Sequence, residues 1–595
     1  MRKESTMNNF KLKVFALLLL LSMLATPMLA SCKPTSEGNS GSTTEATTDA
    51  PKVDIVLFEN GETNYTIFRP DGADKATVTA STSLWNSLLE YTEDSSNSFD
   101  IKNDLIKRGE SIPEDEPAIL VGCTNRPHTE EIYNGLSYGD YRVKPIGNRI
   151  YVAAYTIDAF EKAIKEFLSY VKKHTENGKC VIEASMLIEG NIGGMIAELP
   201  AVAGKAPLTI HDMNDNCSLV VHEECEKADY EKYLQTLSES FTHYTSNKIG
   251  ENSFNTYKND KYLIHTYFMG ITKYIRTTIE PISKTSVIPL ENENKYTAVT
   301  TPLVTQIGCE RKGNTGFQNG MSYIFRLSDG RFIIYDGGFT ANNLDATKIA
   351  NELIAQAVDK KNIVIAAWFM THAHADHNGA FRTFVTKYAP NNNGSVFTVQ
   401  NVIRNTPTIT DAKGADHDNP QYIEDYEQKE LYLKERGCNL IKTHPGQEFF
   451  FADAKITILY NLEMFLPKRF EYFNTSTSVS ILEIAGQKFA MLGDCSEDGS
   501  AIIVKNYAGA DLVCDFVQVA HHGYTGGTTQ LYKMLDPTYV LWPMGEYDFL
   551  RKYKNEDRSA YLVTQSTKVQ GIYTAGASKY VFTLPFNGNN YEKSE

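Results

Sequence analysis

The fold of this chain is decided by the stretch Thr371-His372-Ala373-His374-Ala375-Asp376-His377, which places three imidazoles and a carboxylate within six residues. The stretch directly follows the apolar run 363–369, which has the composition of a buried strand. Imidazole nitrogen and carboxylate oxygen are the ligands of Zn²⁺ and similar divalent ions, and a turn at a strand end can direct several of them at one point. The sequence therefore predicts a metal site at the end of a strand.

Three further polar clusters in the C-terminal half also follow predicted strands. They are Asp336-Gly337-Gly338 after Phe332 to Tyr335, Gly493-Asp494 after Phe489 to Leu492, and His521-His522-Gly523 after Leu512 to Ala520. A helix over Ala346 to Val358 is predicted before the histidine-bearing strand, and another helix is predicted from Gly379. Each reactive cluster is thus expected at the carboxyl end of a strand, where loops can converge on one site.

Taken in this order, the four clusters resemble the successive motifs of the metallo-β-lactamase superfamily, over the segment from about Thr305 to the C-terminus. The resemblance implies an αββα sandwich with one or two metal ions on its upper edge. Gly-Asp followed by His-His-Gly is most similar to one branch of the superfamily. That branch contains the hydrolase domain of DNA-uptake channel proteins and the surface phosphorylcholine esterase of Gram-positive bacteria.

The resemblance also implies a ligand set. His372 and His374 would bind a first ion, Asp376 and His377 would bind a second, and Asp494 would bridge the two. The expected cofactor is one or two Zn²⁺ ions, with Mn²⁺ as an alternative. A water or hydroxide held between the ions would be the nucleophile, because coordination lowers its pKa towards about 7.

Two further roles follow from the same resemblance. One of His521 and His522 would complete the second site, and the sequence leaves open which. Asp336 would orient a ligand imidazole, a role whose loss commonly costs activity severely. The candidate catalytic carboxylates are Asp336, Asp376 and Asp494.

The chain departs from the superfamily pattern between Asp376 and Asp494, where many members have another histidine ligand. The candidates here are His417 and His444, and neither has the expected context. In the similar branch this position is an Asn/Ser-rich turn, which 474–478 matches, so the first site is predicted to be weaker or more open. Cys495 could offer a thiolate beside Asp494, but a core role is favoured.

The first residues have the layout of a bacterial secretory signal. Four basic residues precede the apolar core Val14 to Leu24, which is shorter than the roughly 20 residues of a membrane span. Leu29-Ala30-Ser31-Cys32 resembles a lipobox, so residues 1–31 are predicted to be removed and Cys32 to be lipidated. Residues 32–51 read as a flexible tether, because they have little apolar surface to bury. The expected location is the outer face of the cytoplasmic membrane or the cell surface.

The charge of the mature chain argues against a general nucleic-acid binder. Residues 1–31 contain four basic residues and one acidic residue, so their removal changes the formal charge from −15 to −18. An acidic chain has no basic field to attract DNA or anionic lipid, although a local basic groove is compatible with it. Nucleic acid therefore ranks below other substrates.

Three parts are predicted after the tether: a small α/β domain over 52–200, a β-rich connecting segment over 201–304, and the hydrolase domain over 305–595. The first part resembles the accessory domain ahead of α-glucuronidases and related polysaccharide hydrolases, in the phrase Val-Gly-Cys-Thr-Asn-Arg-Pro from Val121 and the following hairpin and helix. The eight cysteines after Cys32 form no C-x-x-C pair, and buried core thiols without an essential disulfide are expected.

These expectations favour a surface-anchored hydrolase of phosphoester bonds in a small molecule or a cell-envelope polymer, such as phosphorylcholine or a teichoic-acid-like linkage. Two ions about 3.5 to 4 Å apart suit displacement at phosphorus. The same centre can open β-lactams, lactones and thioesters, which form the first alternative. The second alternative is a non-catalytic surface carbohydrate-binding protein. The sequence does not determine the oligomeric state.

Overall fold

The computed structural model describes residues 54–92, 96–106, 111–113, 115–203, 205–213, 217–309, 320–339, 344–413, 419–463, 473–546, 549–550, 558–576 and 578–594. The predicted signal, Cys32 and its tether, and His417 lie outside these residues. The described residues belong to one compact unit, Lys52–Glu595. Among them, no helix is both long and apolar enough to cross a membrane.

The front segment combines two sheets with three helices. Its elements are β1 (Ile55–Glu59), β2 (Thr66–Arg69), α1 (Lys75–Leu89), β3 (Asp100–Asn103), β4 (Ala118–Val121), α2 (Thr129–Tyr133), β5 (Asp140–Ile146), β6 (Arg149–Ala154), α3 (Ile157–Lys173), β7 (Thr175–Glu176), β8 (Lys179–Ile182) and β9 (Ile188–Asn191). The strand orders are β3-β2-β4-β6-β5-β9 and β1-β8-β7. The turn Gly147-Asn148 between two apolar runs predicts a hairpin, and the helical spacing of apolar residues from Ala159 to Val171 predicts an amphipathic helix. Both are found, as the hairpin β5-β6 and the helix α3, which Thr156 caps.

The next segment forms a single antiparallel sheet with one helix. Its elements are β10 (Thr209–Met213), β11 (Cys217–His222), α4 (Lys227–Ser240), β12 (Thr242–Ile249), β13 (Asn252–Lys258), β14 (Tyr262–Met269) and β15 (Tyr274–Pro281), in the order β10-β11-β15-β14-β13-β12. The β-branched and aromatic composition of Tyr262 to Ile279 predicts hairpin strands, and the structure has the hairpin β14-β15 there. One apolar core joins this sheet to the front segment, and Phe254, Tyr267 and Met269 pack in a core of the C-terminal part.

The C-terminal part contains the remaining described strands and α-helices. They are β16 (Leu303–Gln306), β17 (Tyr323–Arg326), β18 (Phe332–Tyr335), α5 (Leu344–Gln356), β19 (Ile363–Met370), α6 (Ala375–Tyr388), β20 (Phe397–Val399), β21 (Asn401–Arg404), α7 (Ile409–Lys413), α8 (Gln421–Lys434), β22 (Asn439–Lys442), β23 (Glu448–Phe451), β24 (Ala454–Tyr460), β25 (Val479–Ile484), β26 (Gln487–Met491), α9 (Glu497–Asn506), β27 (Phe516–Gln518), α10 (Thr529–Leu535), β28 (Tyr539–Trp542), α11 (Ser559–Thr564), β29 (Gly571–Thr574), β30 (Lys579–Thr583) and β31 (Tyr591–Ser594).

These elements build the αββα sandwich that the resemblance implies. A nine-stranded sheet has the order β22-β21-β19-β18-β17-β16-β30-β31, with β20 beside β19, and a seven-stranded sheet runs from β23 to β29 in sequence order. The core between the sheets takes Phe369 from the first and Leu482 from the second. Helices α5, α6 and α8 pack on the outer face of the first sheet, and α9, α10 and α11 pack on that of the second.

The strand directions bring the four polar clusters to one edge. Strands β18 and β19 are parallel, so Asp336 and the stretch after Thr371 leave the first sheet at the same end. Strands β26 and β27 are also parallel, which places Asp494 and the pair His521-His522 together at the end of the second sheet. Because both sheets contribute to one edge, residues far apart in sequence meet there.

Candidate metal centre

Two glycines let the backbone segments approach closely enough for the clusters to meet. Gly493 has φ +51°, and a Cβ at this position would lie 2.7 Å from Cβ of Thr371. Gly523 has φ +82°, and its Cβ would lie 2.2 Å from the ring of Trp542. A side chain at either position would therefore push a strand end away from the site. This is the structural reason for glycine in the Gly-Asp and His-His-Gly motifs.

The first cluster consists of His372, His374 and Asp494. His372 Nε2 lies 3.0 Å from His374 Nδ1 and 3.8 Å from Asp494 Oδ2. An ion bound by nitrogen and oxygen at 2.0 to 2.2 Å separates neighbouring ligand atoms by about 3 to 4 Å. These spacings therefore fit one divalent ion.

The second cluster consists of Asp376, His377 and His522, and Asp494 also reaches it. His377 Nε2 lies 3.1 Å from Asp494 Oδ1 and 3.3 Å from His522 Nε2, and His522 Nε2 lies 3.4 Å from Asp376 Oδ2. The two oxygens of Asp494 thus face different clusters. Of the two candidate histidines, the structure places His522 in the second cluster.

Hydrogen bonds to the opposite ring nitrogens leave these imidazoles with inward-facing lone pairs. His377 Nδ1 donates to Asp336 at 2.7 Å, and His522 Nδ1 donates to the carbonyl of Pro543 at 2.8 Å. If both rings are neutral, two lone pairs face each other across 3.3 Å, so a cation or a proton must lie between them. Asp494 Oδ1, which is buried without a hydrogen-bond partner, points to the same place. The residues therefore fit a divalent ion. The sequence did not indicate that the carbonyl of Pro543 orients the His522 ring.

The electrostatics of the site also favour a cation. Burial lowers the pKa of His377, but Asp494, Asp336 and Asp376 outweigh burial and raise it well above the ordinary value. Burial and the charge of His377 lower the pKa of His372 well below the ordinary value, so this imidazole is neutral and can offer a nitrogen lone pair to a metal ion. Burial raises the pKa of Asp494, but His377, His522 and His521 outweigh it, and the carboxyl stays ionised.

Asp336 lies next to the second cluster and fixes the position of His377. It is fully buried, and its Oδ2 accepts from His377 Nδ1 and, at 2.7 Å, from the hydroxyl of Thr371. Its Oδ1 accepts from the backbone N–H of Thr371 at 2.8 Å. These bonds fix the orientation of the His377 ring. Thr371 also lies 3.1 Å from His372 Nδ1, a role that the sequence analysis did not identify.

Replacing Asp336 by asparagine is expected to lower metal affinity and turnover by about 10- to 100-fold. The amide keeps the volume of the carboxylate but loses the charge that supports His377. Competition with a metal chelator measures the affinity. The control is Asp359→Asn, a change to an exposed aspartate in the loop before β19. Equal metal affinity in the two variants would contradict an orienting role for Asp336.

The solvent side of the centre is marked by Asp376 and His521. The side chains of both are 27% exposed, whereas His372, His377, His522 and Asp494 are at most 2% exposed. His521 Nε2 lies 3.9 Å from Asp494 Oδ2 and 3.2 Å from Asn474 Nδ2. The Asn/Ser-rich turn therefore borders the centre through Asn474. A substrate would approach from this side.

Of the two mid-chain histidines, His444 lies in a separate buried group that joins the connecting sheet to the sandwich. Its Nε2 lies 3.2 Å from Glu280 Oε1, and its Nδ1 lies 3.6 Å from Glu463 Oε1. Arg276 pairs with Glu463 at 3.1 Å, and His265 pairs with Glu280 at 3.3 Å. We call these five residues the seam network. His444 is thus engaged away from the two clusters and is not the missing ligand.

The described cysteines are free thiols, and Cys495 is buried in an apolar core of the sandwich. Burial raises the pKa of Cys495 to about 12, and the charge of Asp494 adds to this effect. A thiolate ligand at this position is therefore disfavoured, in line with the predicted core role.

Comparison with known protein families supports the resemblance to the metallo-β-lactamase superfamily. The family model of the metallo-β-lactamase superfamily, Lactamase_B, matches residues 315–392, which include the histidine-rich stretch. No curated protein matches the sequence. The match supports membership in the superfamily, whose fold binds divalent metals and suggests a hydrolase.

Several solved structures match part of this chain at low identity. The metallo-β-lactamase fold protein YhfI from Bacillus subtilis is 15% identical, over 48% of this chain and 100% of that chain, with a TM-score of 0.30. Zn²⁺-bound PqqB from Methylobacterium extorquens is 13% identical, over 44% and 79%, with a TM-score of 0.25. CmlA, a diiron β-hydroxylase from Streptomyces venezuelae, is 10% identical, over 48% and 54%, with a TM-score of 0.29. Likenesses this distant carry no inference about activity.

Proposed function

We propose that this chain is a surface-anchored metal-dependent hydrolase that cleaves phosphoester bonds at a binuclear centre. The observation that carries the proposal is the position of Asp494, whose two oxygens face two separate groups of metal-ligand side chains. A non-catalytic scaffold has no need of such a pair of groups. A bridged pair of ions is the arrangement that suits displacement at phosphorus.

His372, His374 and Asp494 would bind one ion, and Asp376, His377 and His522 would bind the other, with Zn²⁺ or Mn²⁺ as the metal. When bound, the ions would lower the pKa of a coordinated water towards about 7 and neutralise charge on the phosphoryl group. Asp336 would keep the His377 ring in its binding orientation. Asp376, which is partly exposed, would face the incoming substrate.

The charge of the centre supports an anionic substrate. Two divalent ions would bring four positive charges against the three carboxylates Asp336, Asp376 and Asp494, so the occupied centre would carry one net positive charge with a bound water and no net charge with a bound hydroxide, and the positive charge would be concentrated at the ions. A phosphodiester carries a negative charge that this field attracts, whereas a neutral lactone gains less from it. The balance favours a phosphoester over neutral lactones and thioesters.

The location of the enzyme belongs to the same proposal. Lipidation of Cys32 and the tether up to Pro51 would anchor the enzyme to the outer face of the cytoplasmic membrane or to the cell surface. There it would act on a small molecule or on a cell-envelope polymer. The front α/β segment, which resembles accessory domains of polysaccharide hydrolases, supports the polymer. The acidic chain keeps nucleic acid lower among the substrates.

The test uses residues 33–595, assayed with a phosphodiester, a phosphomonoester and a chromogenic β-lactam. Phosphodiester turnover is expected, with complete loss after chelation and recovery on addition of Zn²⁺ or Mn²⁺. Turnover of the lactam alone would overturn the phosphoester assignment. Absence of both bound metal and turnover would contradict an enzymatic function and favour the non-catalytic carbohydrate-binding alternative.

A further inference from the structure

We propose that the tandem histidines are divided between the two ions, so that His521 binds the first ion and His522 binds the second. This inference rests on the proposed binuclear function and deepens it. It names the protein ligand that takes the place of the mid-chain histidine, because His444 is engaged in the seam network. It also assigns a function to the unusual backbone of the pair.

The backbone of the pair is left-handed at both residues. His521 has φ 47° and ψ 47°, and His522 has φ 52° and ψ 13°. Residues with a side chain rarely adopt this conformation, and two in succession are rarer. The result is that the two ring centroids lie 6.4 Å apart with ring planes 60° apart, so neighbours in sequence face different directions. Strain of this kind is retained where it positions functional groups.

The carboxylate of Asp494 separates the two imidazoles. His522 Nε2 lies 3.8 Å from Oδ1, the oxygen that faces the second cluster. His521 Nε2 lies 3.9 Å from Oδ2, the oxygen that faces the first cluster. Oδ2 also has His372 Nε2 at 3.8 Å. The imidazole nitrogens of His372 and His521 therefore lie at nearly the same distance from the oxygen that would bind the first ion.

The hydrogen bonds of His521 prepare its Nε2 to bind a metal. Nδ1 lies 2.8 Å from the hydroxyl of Thr525, which can accept a hydrogen bond from Nδ1–H and so leave the lone pair on Nε2. The amide Nδ2 of Asn474 lies 3.2 Å from Nε2, and a bound ion would have to replace this hydrogen bond. His522 likewise has an acceptor for its Nδ1–H, the carbonyl of Pro543. Both members of the pair thus expose Nε2 towards Asp494.

The first cluster needs such a ligand more than the second does. His372, His374 and Asp494 supply three ligand atoms, whereas the second cluster has Asp376, His377 and His522 in addition to Asp494. The competing ligand is the side-chain oxygen of Asn474, which is buried without a hydrogen-bond partner. Zn²⁺ prefers imidazole nitrogen to an amide oxygen, which favours His521. Because His521 is partly exposed, the first site would be the more open one.

The test counts bound Zn²⁺ by elemental analysis after dialysis of residues 33–595. Asparagine replaces each histidine, because it tolerates a left-handed backbone but is too short to reach the ion. The wild-type chain is expected to retain two ions, and His521→Asn and His522→Asn are each expected to retain one. Combining His521→Asn with His372→Asn should still leave one ion, whereas combining it with His522→Asn should leave none. Thermal melting checks that each variant is folded.

The pattern of the double variants distinguishes the outcomes. Retention of two ions with wild-type affinity in His521→Asn would overturn the assignment. So would the reverse pattern, in which the His521→Asn and His522→Asn double variant keeps one ion. Loss of an ion in Asn474→Ala, with none lost in His521→Asn, would show that Asn474 and not His521 is the additional ligand of the first ion. A wild-type chain that retains no ion would overturn the proposed function. This result comes from the wild-type measurement alone and is therefore distinguishable from failure of the His521 assignment.

Discussion

Replacing Asp494 by asparagine is expected to lower turnover by about a thousandfold or more and to release both ions. Asp494 is the shared residue of the centre, with Oδ2 3.8 Å from His372 Nε2 and Oδ1 3.1 Å from His377 Nε2. Asparagine has nearly the same volume but offers one neutral oxygen. The loss of several kcal/mol of transition-state stabilisation that bound ions supply corresponds to this change in rate. Turnover of a phosphodiester and the content of bound metal are the two measurements.

The matched control is Asp498→Asn, which changes an exposed carboxylate in the first turn of α9, four residues away. It is expected to keep both ions and the wild-type rate. If Asp494→Asn also kept both ions at wild-type affinity, Asp494 would not bridge them. If it lost one ion only, Asp494 would be a ligand of that ion and would not bridge the two.

Replacing His444 by glutamine is expected to lower the free energy of unfolding by about 3 to 5 kcal/mol. The side chains of Glu280 and Glu463 are 4% and 5% exposed, and the change leaves them with Arg276 as the remaining charged partner in the seam network. Removal of one partner from a buried ion pair leaves an uncompensated charge in a medium that solvates it poorly. Denaturant unfolding of the two proteins measures the difference. His243→Gln, which changes an exposed histidine of β12, should change the value by less than about 0.5 kcal/mol.

The effect of this substitution should depend on pH. Burial lowers the pKa of His444, but Glu280 and Glu463 outweigh burial and the charge of Lys442 and raise it above the ordinary value. Its stabilisation is therefore complete below about pH 6.5, the unfolded value, and is lost as pH rises through the raised value. The difference between wild type and His444→Gln should be largest near pH 6 and should shrink at alkaline pH. A difference that grows with pH would contradict a protonated His444.

Glu463, Glu280 and His265, which also belong to the seam network, act in the opposite direction. Burial raises the pKa of Glu463, but His444 and Arg276 outweigh it and lower the pKa to about 2. The pKa of Glu280 is lowered as well. Their stabilisation is present above about pH 4.5 and is lost as pH falls. Burial lowers the pKa of His265 to about 4, so its contribution is lost between about pH 6.5 and pH 4.

Much of the local structure is predictable from sequence because its causes are local. Alternating and helical spacing predicts the hairpin β5-β6 and the helix α3. The sequence also predicts a helix over 128–136, whereas the observed helix α2 is Thr129–Tyr133. It is shorter because His128 is left-handed at φ 65° and Asn134 is extended. A single residue in a non-helical conformation ends a helix that the apolar pattern would continue. The spacing of the residues cannot reveal this.

The sequence by itself determined the chemistry of the centre, because the ligand types and their short spacing after Thr371 depend only on a turn at a strand end. The order of the four motifs also indicated the αββα sandwich. Only the tertiary structure decided which histidines meet. It pairs Asp336 with His377, sends His444 to Glu280, 164 residues away, and turns His521 and His522 to opposite oxygens of Asp494. The physical reason is that such contacts depend on sheet order and on backbone conformation at single residues, and neither of these follows from residue spacing.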